Sequence, residues 1–384
     1  MPGLVALDLP WDERFCSALT RIWDDGDAAC PLDPRLPPRA ARELLSVLRP
    51  THVVGPDGSK VTLEGGAPAE EGDALVVATS GSSASPKGVV LTHAAVAASA
   101  GATSERLGVD PAGDRWLACI PLSHVGGLGV ITRALVTGTP LVVHRNFDAG
   151  AVEASATGPD PVTLVSLVPA ALRRVDASLF RVVLLGGAAP PERPGPNVVT
   201  TFGMTETCGG VAYDGLPLDG VEIAIAGASD DRAFNGAEAG EILLRGPMLL
   251  RGYRDGKDPR LESGWLPTGD AGRIDRHGRL RVYGRIAETI NTGGEKVWPG
   301  AVEPLIAAVP GVAEVAVAGR PDPDWGQRVV AFVVAGDPTE PPSIEAIREA
   351  VSSQLAPWAA PREVVFVRSL PRTPSGKVSR RLLG

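Results

Sequence analysis

Cysteine is scarce in this sequence. Its 384 residues include four cysteines, Cys16, Cys30, Cys119 and Cys208, which lie far apart and form no CxxC motif. This spacing favours neither a disulfide framework nor a structural zinc site. The chain also lacks the every-third glycine of collagen, and its hydrophobic fraction of 44% is too high for a disordered protein.

Long apolar runs and clustered basic residues are lacking as well. No apolar stretch approaches the roughly 18 residues that cross a bilayer, and Met1–Arg14 has no basic region typical of a signal peptide. The net charge of -8 argues against a surface for nucleic acids. We therefore expect a cytoplasmic protein with no membrane span and no nucleic-acid partner, in which one local basic pocket could still bind an anion.

Lysine is the rarest of the charged residues. The chain has 37 basic residues, of which five are lysines: Lys60, Lys87, Lys257, Lys296 and Lys377. A lysine inside a glycine-rich motif is therefore a notable feature, and Lys87 and Lys377 are both in such motifs.

The pattern of apolar segments predicts α/β layering with a largely parallel sheet. Strands such as Ala74–Thr79 and Arg181–Leu185 alternate with helices such as His93–Leu107. From Val221 the pattern predicts a β-rich subdomain, and after Arg285 a compact α+β unit of about a hundred residues. The length agrees with two or three domains.

Five segments have the composition of ligand-binding loops. In chain order they are Thr79–Gly88, Thr201–Thr207, Thr268–Asp270, Gly284-Arg285 with Gly293-Gly294, and Pro371–Lys377. Glycine N–H groups, hydroxyls and Lys87 in the first can converge on phosphate oxygens, and Glu206 in the second can hold Mg²⁺. Taken singly, they could equally be a flexible loop, a helix N-cap beside an acid, a turn or a solvated tail.

The order and spacing of these segments resemble the ATP-dependent adenylate-forming superfamily of acyl- and aryl-CoA synthetases, peptide-synthetase adenylation domains and luciferases. The resemblance extends from Ala74 to Leu383. It implies a large N-terminal ATP- and acyl-binding domain, residues 1–284, and a small mobile C-terminal domain, residues 285–384. Two departures stand out: Ala84 replaces a usual glycine in the phosphate loop, and Ala287, beside Glu288, replaces a usual Asp at the hinge.

The resemblance also implies a reaction in two steps. A carboxylic acid attacks the α-phosphate of ATP to give an acyl-adenylate, and the thiol of coenzyme A then displaces AMP. Lys377, Thr205 and Glu206 would be catalytic, with Glu206 also holding Mg²⁺. The implied nucleotide-binding residues are Thr79, Ser80, Gly81, Ser82, Ser83, Lys87, Gly186, Gly187, Ala188, Phe202, Gly203, Asp270 and Arg285. The implied acyl-pocket residues are His124, Ser166, Gly203 and Cys208, and the implied coenzyme A channel residues are Gly293 and Gly294.

The substrate is indicated by how compact the chain is. The short linker between Thr207 and Val221 and the short N-terminal region resemble the o-succinylbenzoate–CoA ligase branch of the superfamily, which implies an aromatic diacid. Arg173 and Arg174 are candidates to bind its second carboxylate, and His124 could instead be a structural histidine. Other small aryl- or acyl-CoA ligases, a carrier-loading adenylation domain and a catalytically inactive nucleotide-binding relative remain open alternatives, as does a homo-oligomeric state.

Overall fold

The computed structural model describes residues 1–79, 86–188, 195–226, 239–372 and 378–383. The α-helices in this part of the chain are α1 (Glu13–Asp24), α2 (Pro38–Leu48), α3 (His93–Leu107), α4 (Val125–Thr137), α5 (Ala149–Thr157), α6 (Pro169–Leu172), α7 (Pro299–Ala307) and α8 (Ile344–Ser352). The strands are β1 (Leu4–Leu7), β2 (Ala28–Pro31), β3 (His52–Val54), β4 (Lys60–Thr62), β5 (Asp73–Thr79), β6 (Lys87–Thr92), β7 (Trp116–Ala118), β8 (Leu141–Val143), β9 (Leu164–Leu167), β10 (Val182–Leu185), β11 (Val198–Met204), β12 (Gly209–Tyr213), β13 (Leu216–Pro217), β14 (Glu222–Ala226), β15 (Gly240–Arg245), β16 (Gly252–Tyr253), β17 (Leu266–Ile274), β18 (Leu280–Arg285), β19 (Ile290–Thr292), β20 (Glu295–Val297), β21 (Val312–Asp322), β22 (Gly326–Ala335) and β23 (Glu363–Phe366).

These elements form two compact units of a mixed α/β protein. The first unit comprises Met1–Ile223 and Leu244–Leu266, and the second comprises Ala224–Leu243 and Pro267–Gly384. Among the described residues, no helix combines the length and the apolar character that a membrane span requires.

One sheet of the first unit has the strand order β16-β6-β5-β2-β1-β3-β4. Its centre is parallel, since β1 pairs with β2 and β3 and β2 pairs with β5, whereas β4, β6 and β16 are antiparallel. The sequence pattern predicted β5 but missed the four strands before it, β1 to β4. Strands β1 and β2 have four buried residues each, which is too short for periodicity to be detected.

The other sheet of this unit confirms the predicted parallel layering. Its order is β13-β12-β11-β10-β9-β7-β8, and the five strands from β11 to β8 are parallel while β12 and β13 are antiparallel. An apolar core that includes Leu117, Val165, Val183 and Phe180 packs on one face. The carboxyl ends of the parallel strands therefore meet at one edge, which is where α/β sheets bind ligands.

The second unit contains the expected β-rich and α+β portions. Its sheets have the orders β14-β15-β17-β18 and β20-β19-β22-β21, with β23 also paired to β22. Helices α7 and α8 cover the second of these sheets through Val302, Ile306, Ile347 and Val351, each almost inaccessible to solvent. The long hairpin of β21 and β22 forms the middle of this core.

An ion pair with a buried carboxylate joins the first sheet to the chain that follows β15. The Asp73 carboxylate, whose side chain is fully buried, accepts hydrogen bonds from Arg251 Nε at 2.8 Å and Nη2 at 3.0 Å. The backbone N–H of Glu70 also donates to Asp73 at 2.9 Å. This contact raises the pKa of Arg251, chiefly through the hydrogen bond to Asp73.

We expect Asp73→Asn to lower the free energy of unfolding of the first unit by about 2–3 kcal/mol, because Arg251 would keep its charge and lose its buried partner. Urea denaturation measures the effect. Glu70→Gln is a matched control, since Glu70 binds the same arginine at 2.8 Å but is 70% exposed and should contribute below about 1 kcal/mol. If Asp73→Asn and Glu70→Gln lowered the free energy of unfolding equally, burial of the Asp73 carboxylate would not explain its contribution.

Candidate active site

The first predicted loop connects two antiparallel strands. Thr79, the last residue of β5, lies opposite Lys87, the first residue of β6, and Lys87 is exposed. Ser80, Gly81, Ser82 and Ser83 lie outside the described residues. The segment thus lies between two antiparallel strands, whereas a Walker-type loop leads from a strand into a helix.

Lys87, Tyr253 and Glu206 are brought together in the first unit. Lys87 Nζ lies 4.9 Å from the centre of the Tyr253 ring, and the Tyr253 hydroxyl donates to Glu206 Oε1 at 3.0 Å. Strand β16 positions Tyr253 by pairing it with Val89 of β6. Burial and the negative charge of Glu206 raise the pKa of Tyr253, so its phenol remains a hydrogen-bond donor.

Sequence reasoning missed Tyr253. The sequence offers little to identify this residue: tyrosine is rare, with three in the chain, but Tyr253 belongs to none of the five segments. Its position depends on β16 pairing with β6, which is 160 or more residues away in sequence, and no local pattern reports such pairing.

The second predicted segment is the end of a strand followed by one turn of 3₁₀ helix. Phe202 and Gly203 belong to β11, and Thr205–Thr207 form the turn. Thr205 is half-buried, and Glu206 is buried with 7% of its surface exposed. The helix N-cap that the sequence also allowed is replaced by this tighter turn. A buried carboxylate on a short turn has the donor chemistry that Mg²⁺ prefers.

After this turn the chain reverses direction and enters β12. Cys208 has a φ of +56° and Gly209 a φ of +116°. At Gly203 a side-chain carbon would collide with the carbonyl oxygen of Gly209, so only glycine fits. Burial raises the pKa of the Cys208 thiol to about 12, which keeps the thiol neutral, and a neutral buried thiol behaves as a small apolar side chain.

Gly186, Gly187 and Ala188 follow β10 at the carboxyl edge of the second sheet. A side-chain carbon at Gly186 would lie 2.6 Å from Thr201 Oγ1, and Gly187 has a φ of +81°. Because β10 and β11 are parallel neighbours, these residues and Phe202 lie at the same edge. The sheet thus brings together two segments that the resemblance assigns to adenine binding.

The predicted acyl-pocket residues lie on three different elements. His124 is the exposed N-cap of α4, and Ser166 is a buried residue of β9. Ser166 Oγ accepts a hydrogen bond from Arg133 Nη2 at 3.1 Å, a residue that the sequence did not single out. Arg173 and Arg174, the two predicted candidates, are both exposed, and the Arg174 guanidinium lies 5.1 Å from the Phe147 ring centre.

In the second unit, Asp270 and Arg285 are cross-strand partners. They lie opposite each other in β17 and β18, with Asp270 Oδ1 3.2 Å from Arg285 Nε. Arg285 Nη1 also donates to the carbonyl of Thr268 at 2.9 Å. The Thr268–Asp270 segment is part of a strand, contrary to the predicted tight turn, although Gly269 has a φ of +69°. The two residues implied in ribose binding are therefore adjacent.

Gly293 and Gly294 form the two-residue turn between β19 and β20. Both have positive φ, +62° and +87°, as the favoured hairpin turns require. A side-chain carbon at Gly293 would collide with the Trp325 ring, and the Arg362 guanidinium lies 4.1 Å from the centre of that ring. The positive φ angles alone thus explain why glycine stands at both positions.

Lys377 lies outside the described residues, but both flanks of its segment are anchored. A β-bridge joins Arg372 to Val378, and the Arg372 guanidinium pairs with Glu314 at 2.7 Å. Beyond the segment, Arg380 binds Glu303 at 2.8 Å and Glu288 at 2.6 Å. Glu288, next to the predicted hinge position Ala287, is thereby tied to the chain three residues after Lys377.

Comparison with known proteins identifies the family of the chain. Residues 59–254 match the model of the AMP-binding enzyme family, and residues 301–377 match that of the AMP-binding enzyme C-terminal domain. A relative from Mycobacterium tuberculosis (strain ATCC 25618 / H37Rv), named probable 2-succinylbenzoate–CoA ligase, is 39% identical over 336 residues, covering 81% of this chain and 83% of its own. An indoleacetate–CoA ligase from Aromatoleum aromaticum is 36% identical, covering 80% of this chain and 66% of its own.

A solved structure has the same fold. The o-succinylbenzoate CoA synthetase from Bacillus subtilis, in complex with the acyl-adenylate intermediate OSB-AMP, aligns with a TM-score of 0.83 and 26% identity over 99% of this chain and 88% of that one. The same enzyme has been solved with ATP and a magnesium ion, with a TM-score of 0.80 and 26% identity over 99% and 89% of the two chains. Given the family-model matches and a relative 39% identical over most of its length, this chain belongs to the AMP-binding enzyme family.

Proposed function

We propose that this chain is an AMP-forming acid–thiol ligase that joins o-succinylbenzoate to coenzyme A, as menaquinone biosynthesis requires. The observation that carries the proposal is the buried carboxylate Glu206, placed beside Tyr253 and Lys87 within a sequence that matches the AMP-binding enzyme model. The substrate is supported by the name of the Mycobacterium tuberculosis relative and by the adenylate bound to the Bacillus subtilis enzyme.

The reaction proceeds through two displacements. In the first, an oxygen of the succinyl carboxylate bonds to the α-phosphorus of ATP, and the bond from that phosphorus to pyrophosphate breaks. In the second, the coenzyme A sulfur bonds to the acyl carbon, AMP leaves with the electron pair of the C–O bond, and the thiol proton goes to solvent. Neither step needs a covalent nucleophile from the protein, so catalysis depends on positioning and charge neutralisation.

We assign the nucleotide-binding roles segment by segment. The β- and γ-phosphates would contact Thr79, the Ser80–Ser83 backbone and Lys87, whose cation neutralises phosphate charge. Glu206 would supply the carboxylate for Mg²⁺, which binds proteins through one or two carboxylates together with substrate phosphates. Thr205 would contact the α-phosphate, Phe202 and Gly186–Ala188 would enclose adenine, and the adjacent Asp270 and Arg285 would bind the ribose.

We assign alternate roles to two segments of the C-terminal domain, residues 285–384. In adenylation, Lys377 would orient the acid and the α-phosphate. In thioester formation the domain would rotate, and the turn at Gly293 and Gly294 would line the coenzyme A channel. Gly284, with a φ of +109°, and the neighbouring Ile286–Glu288 turn are the proposed pivot, where Glu288 is held by Arg380 in place of the usual hinge Asp.

The second candidate is a ligase for an aromatic acid with a single carboxylate. It is favoured by the 36% identity to the indoleacetate–CoA ligase. A panel of o-succinylbenzoate, indoleacetate and benzoate, with pyrophosphate and AMP release as readouts, distinguishes the two. We expect the highest kcat/KM for o-succinylbenzoate. Preferential turnover of a monoacid would favour the second candidate, and no turnover would favour a catalytically inactive nucleotide-binding protein.

We place the enzyme in the cytoplasm, in keeping with its unpaired cysteines.

We expect Lys377→Ala to slow adenylation by about 10²- to 10³-fold, because the variant loses the cation that offsets charge in the transition state. Thioester formation from preformed acyl-adenylate should change little. Pyrophosphate release and thioester formation, measured separately, test this. Lys257→Ala is the control, since Lys257 is 80% exposed and pairs with Asp255. If Lys377→Ala formed the adenylate at the wild-type rate, the assignment of Lys377 to adenylation would be wrong.

We expect Glu206→Gln to raise the Mg²⁺ concentration needed for half-maximal adenylation by about 10- to 100-fold, since the amide keeps the acceptor for Tyr253 but loses the charge. A Mg²⁺ titration of pyrophosphate release measures the shift. Glu222→Gln, which removes an exposed carboxylate paired with Arg245, should leave the titration unchanged. A slower rate at an unaltered Mg²⁺ midpoint would contradict the role of Glu206 as a metal ligand.

A further inference from the structure

The backbone just before Asp270 departs from regular strand geometry. Gly269 has a φ of +69°, although it lies within β17. Two consecutive N–H groups at this point are bound by side-chain oxygens: Gly269 N donates to Glu241 Oε1 at 2.9 Å, and Asp270 N donates to Thr268 Oγ1 at 3.1 Å. Because backbone N–H groups away from water need an acceptor, these two side chains support the unusual conformation.

Glu241 reaches this point from the neighbouring strand. It is the second residue of β15, which lies beside β17 in the sheet, and its side chain is half-buried. A hydrogen bond from a backbone N–H to a carboxylate is shorter and stronger than one to a neutral acceptor. The position of Gly269 therefore depends on a single carboxylate from another strand.

Thr268 ties the same strands together on the other side of Gly269. Its side chain is buried, with 3% of the residue exposed, and Oγ1 donates to the carbonyl of Ile242 at 2.8 Å. Two consecutive residues of β15, Glu241 and Ile242, thus hold two consecutive residues of β17. Together these contacts fix the backbone from which the Asp270 side chain projects.

The direction of the Asp270 carboxylate matters for the role assigned to it. Asp270 has 9% of its surface exposed, and Arg285 contacts both its Oδ1 and the carbonyl of Thr268. A carboxylate that accepts two vicinal hydroxyls must be placed to within a fraction of an ångström, and a displacement of about 1 Å can cost a large part of a binding or catalytic effect. A change in the backbone at Gly269 would produce such a displacement.

We propose that Glu241 is the positioning residue of the ribose site. By holding the N–H of Gly269, its carboxylate directs Asp270 toward the 2′- and 3′-hydroxyls of ATP, so Glu241 acts through the backbone and not through a contact with the nucleotide. This inference rests on the ribose-binding role of Asp270 in the proposed function. It assigns to Glu241 the part of the affinity for ATP that comes from the two hydroxyls.

The test compares ATP with 2′,3′-dideoxy-ATP, which lacks both hydroxyls, by calorimetric titration of the full chain with Mg²⁺ present. The wild-type protein should bind ATP about 10- to 100-fold more tightly than the analogue, and Asp270→Asn should remove most of that preference. Glu241→Met should weaken ATP binding by about 5- to 20-fold and leave the Kd of the analogue within about 2-fold. Only the hydroxyl contacts depend on the direction of Asp270, whereas a purely structural role would weaken the binding of both nucleotides alike.

Two conservative variants separate the hydrogen bond from the charge. Glu241→Gln keeps an oxygen that can accept from Gly269 N and should recover most of the preference for ATP. Glu241→Asp keeps the charge but withdraws the carboxylate by one methylene, so it should behave like Glu241→Met. Glu340→Met, which removes an exposed glutamate of the second unit, is the control and should change neither Kd.

The outcomes separate this inference from the proposed function. If Glu241→Met weakens the binding of both nucleotides equally, or of neither, the positioning role of Glu241 is wrong while the ligase activity stands. If Asp270→Asn keeps the wild-type preference for ATP, the ribose-binding role of Asp270 fails and this inference fails with it. Should Glu241→Met not fold, the Gln and Asp variants decide, and equal Kd ratios in those two overturn the inference. Ligase activity is tested by the acid panel, on which these binding constants do not depend.

Discussion

The close approach of two backbone segments at Gly203 is the constraint on which the site in the first unit depends. Strands β11 and β12 come so near there that no side chain fits, and Thr207 Oγ1 bridges the gap by contacting the carbonyl of Gly209 at 2.7 Å. The chain can then turn within three residues, and Glu206 is directed inward. The carbonyl of Glu206 accepts a hydrogen bond from Leu250 N at 2.7 Å, which connects the turn to the chain that leads into β16.

The buried charges in the described part of the chain fall into two groups, those that form ion pairs and those that do not. Ion pairs such as Asp73–Arg251 and Asp114–Arg181 satisfy buried charges that support the fold. Glu206 and Arg133 are buried charges of opposite sign that form no ion pair among the described residues, and Glu206 lies where Mg²⁺ is proposed to bind. Buried unpaired charge is unfavourable in the free protein, and a ligand of opposite charge relieves that cost on binding. This cost supports the proposed Mg²⁺ site at Glu206.

Much of the fold could be predicted from local patterns. Helix α3 begins and ends where the sequence placed it, because Thr92 caps its first turn at 3.1 Å from Ala95 N and Gly108 ends it in the left-handed conformation. The parallel strand β10 was recognised from a short apolar run bounded by turn residues. The first four strands were missed, since their few residues carry no detectable period. Thr268–Asp270 was taken for a turn because its glycine signals one, whereas pairing with β18 holds it in a strand.

The sequence by itself determined the family, the order of the motifs and the residue types available for phosphate, Mg²⁺ and ribose, because those depend on short stretches of chain. Only the tertiary structure decided which side chains meet. It placed Tyr253 against Glu206 and Lys87 by pairing β16 with β6, and it buried Arg133 beside Ser166 while leaving Arg173 and Arg174 exposed. Those contacts join residues that are tens of positions to more than 160 positions apart. An unpaired charge costs free energy only when it is removed from water, and that burial exists only once the sheets and helices have packed.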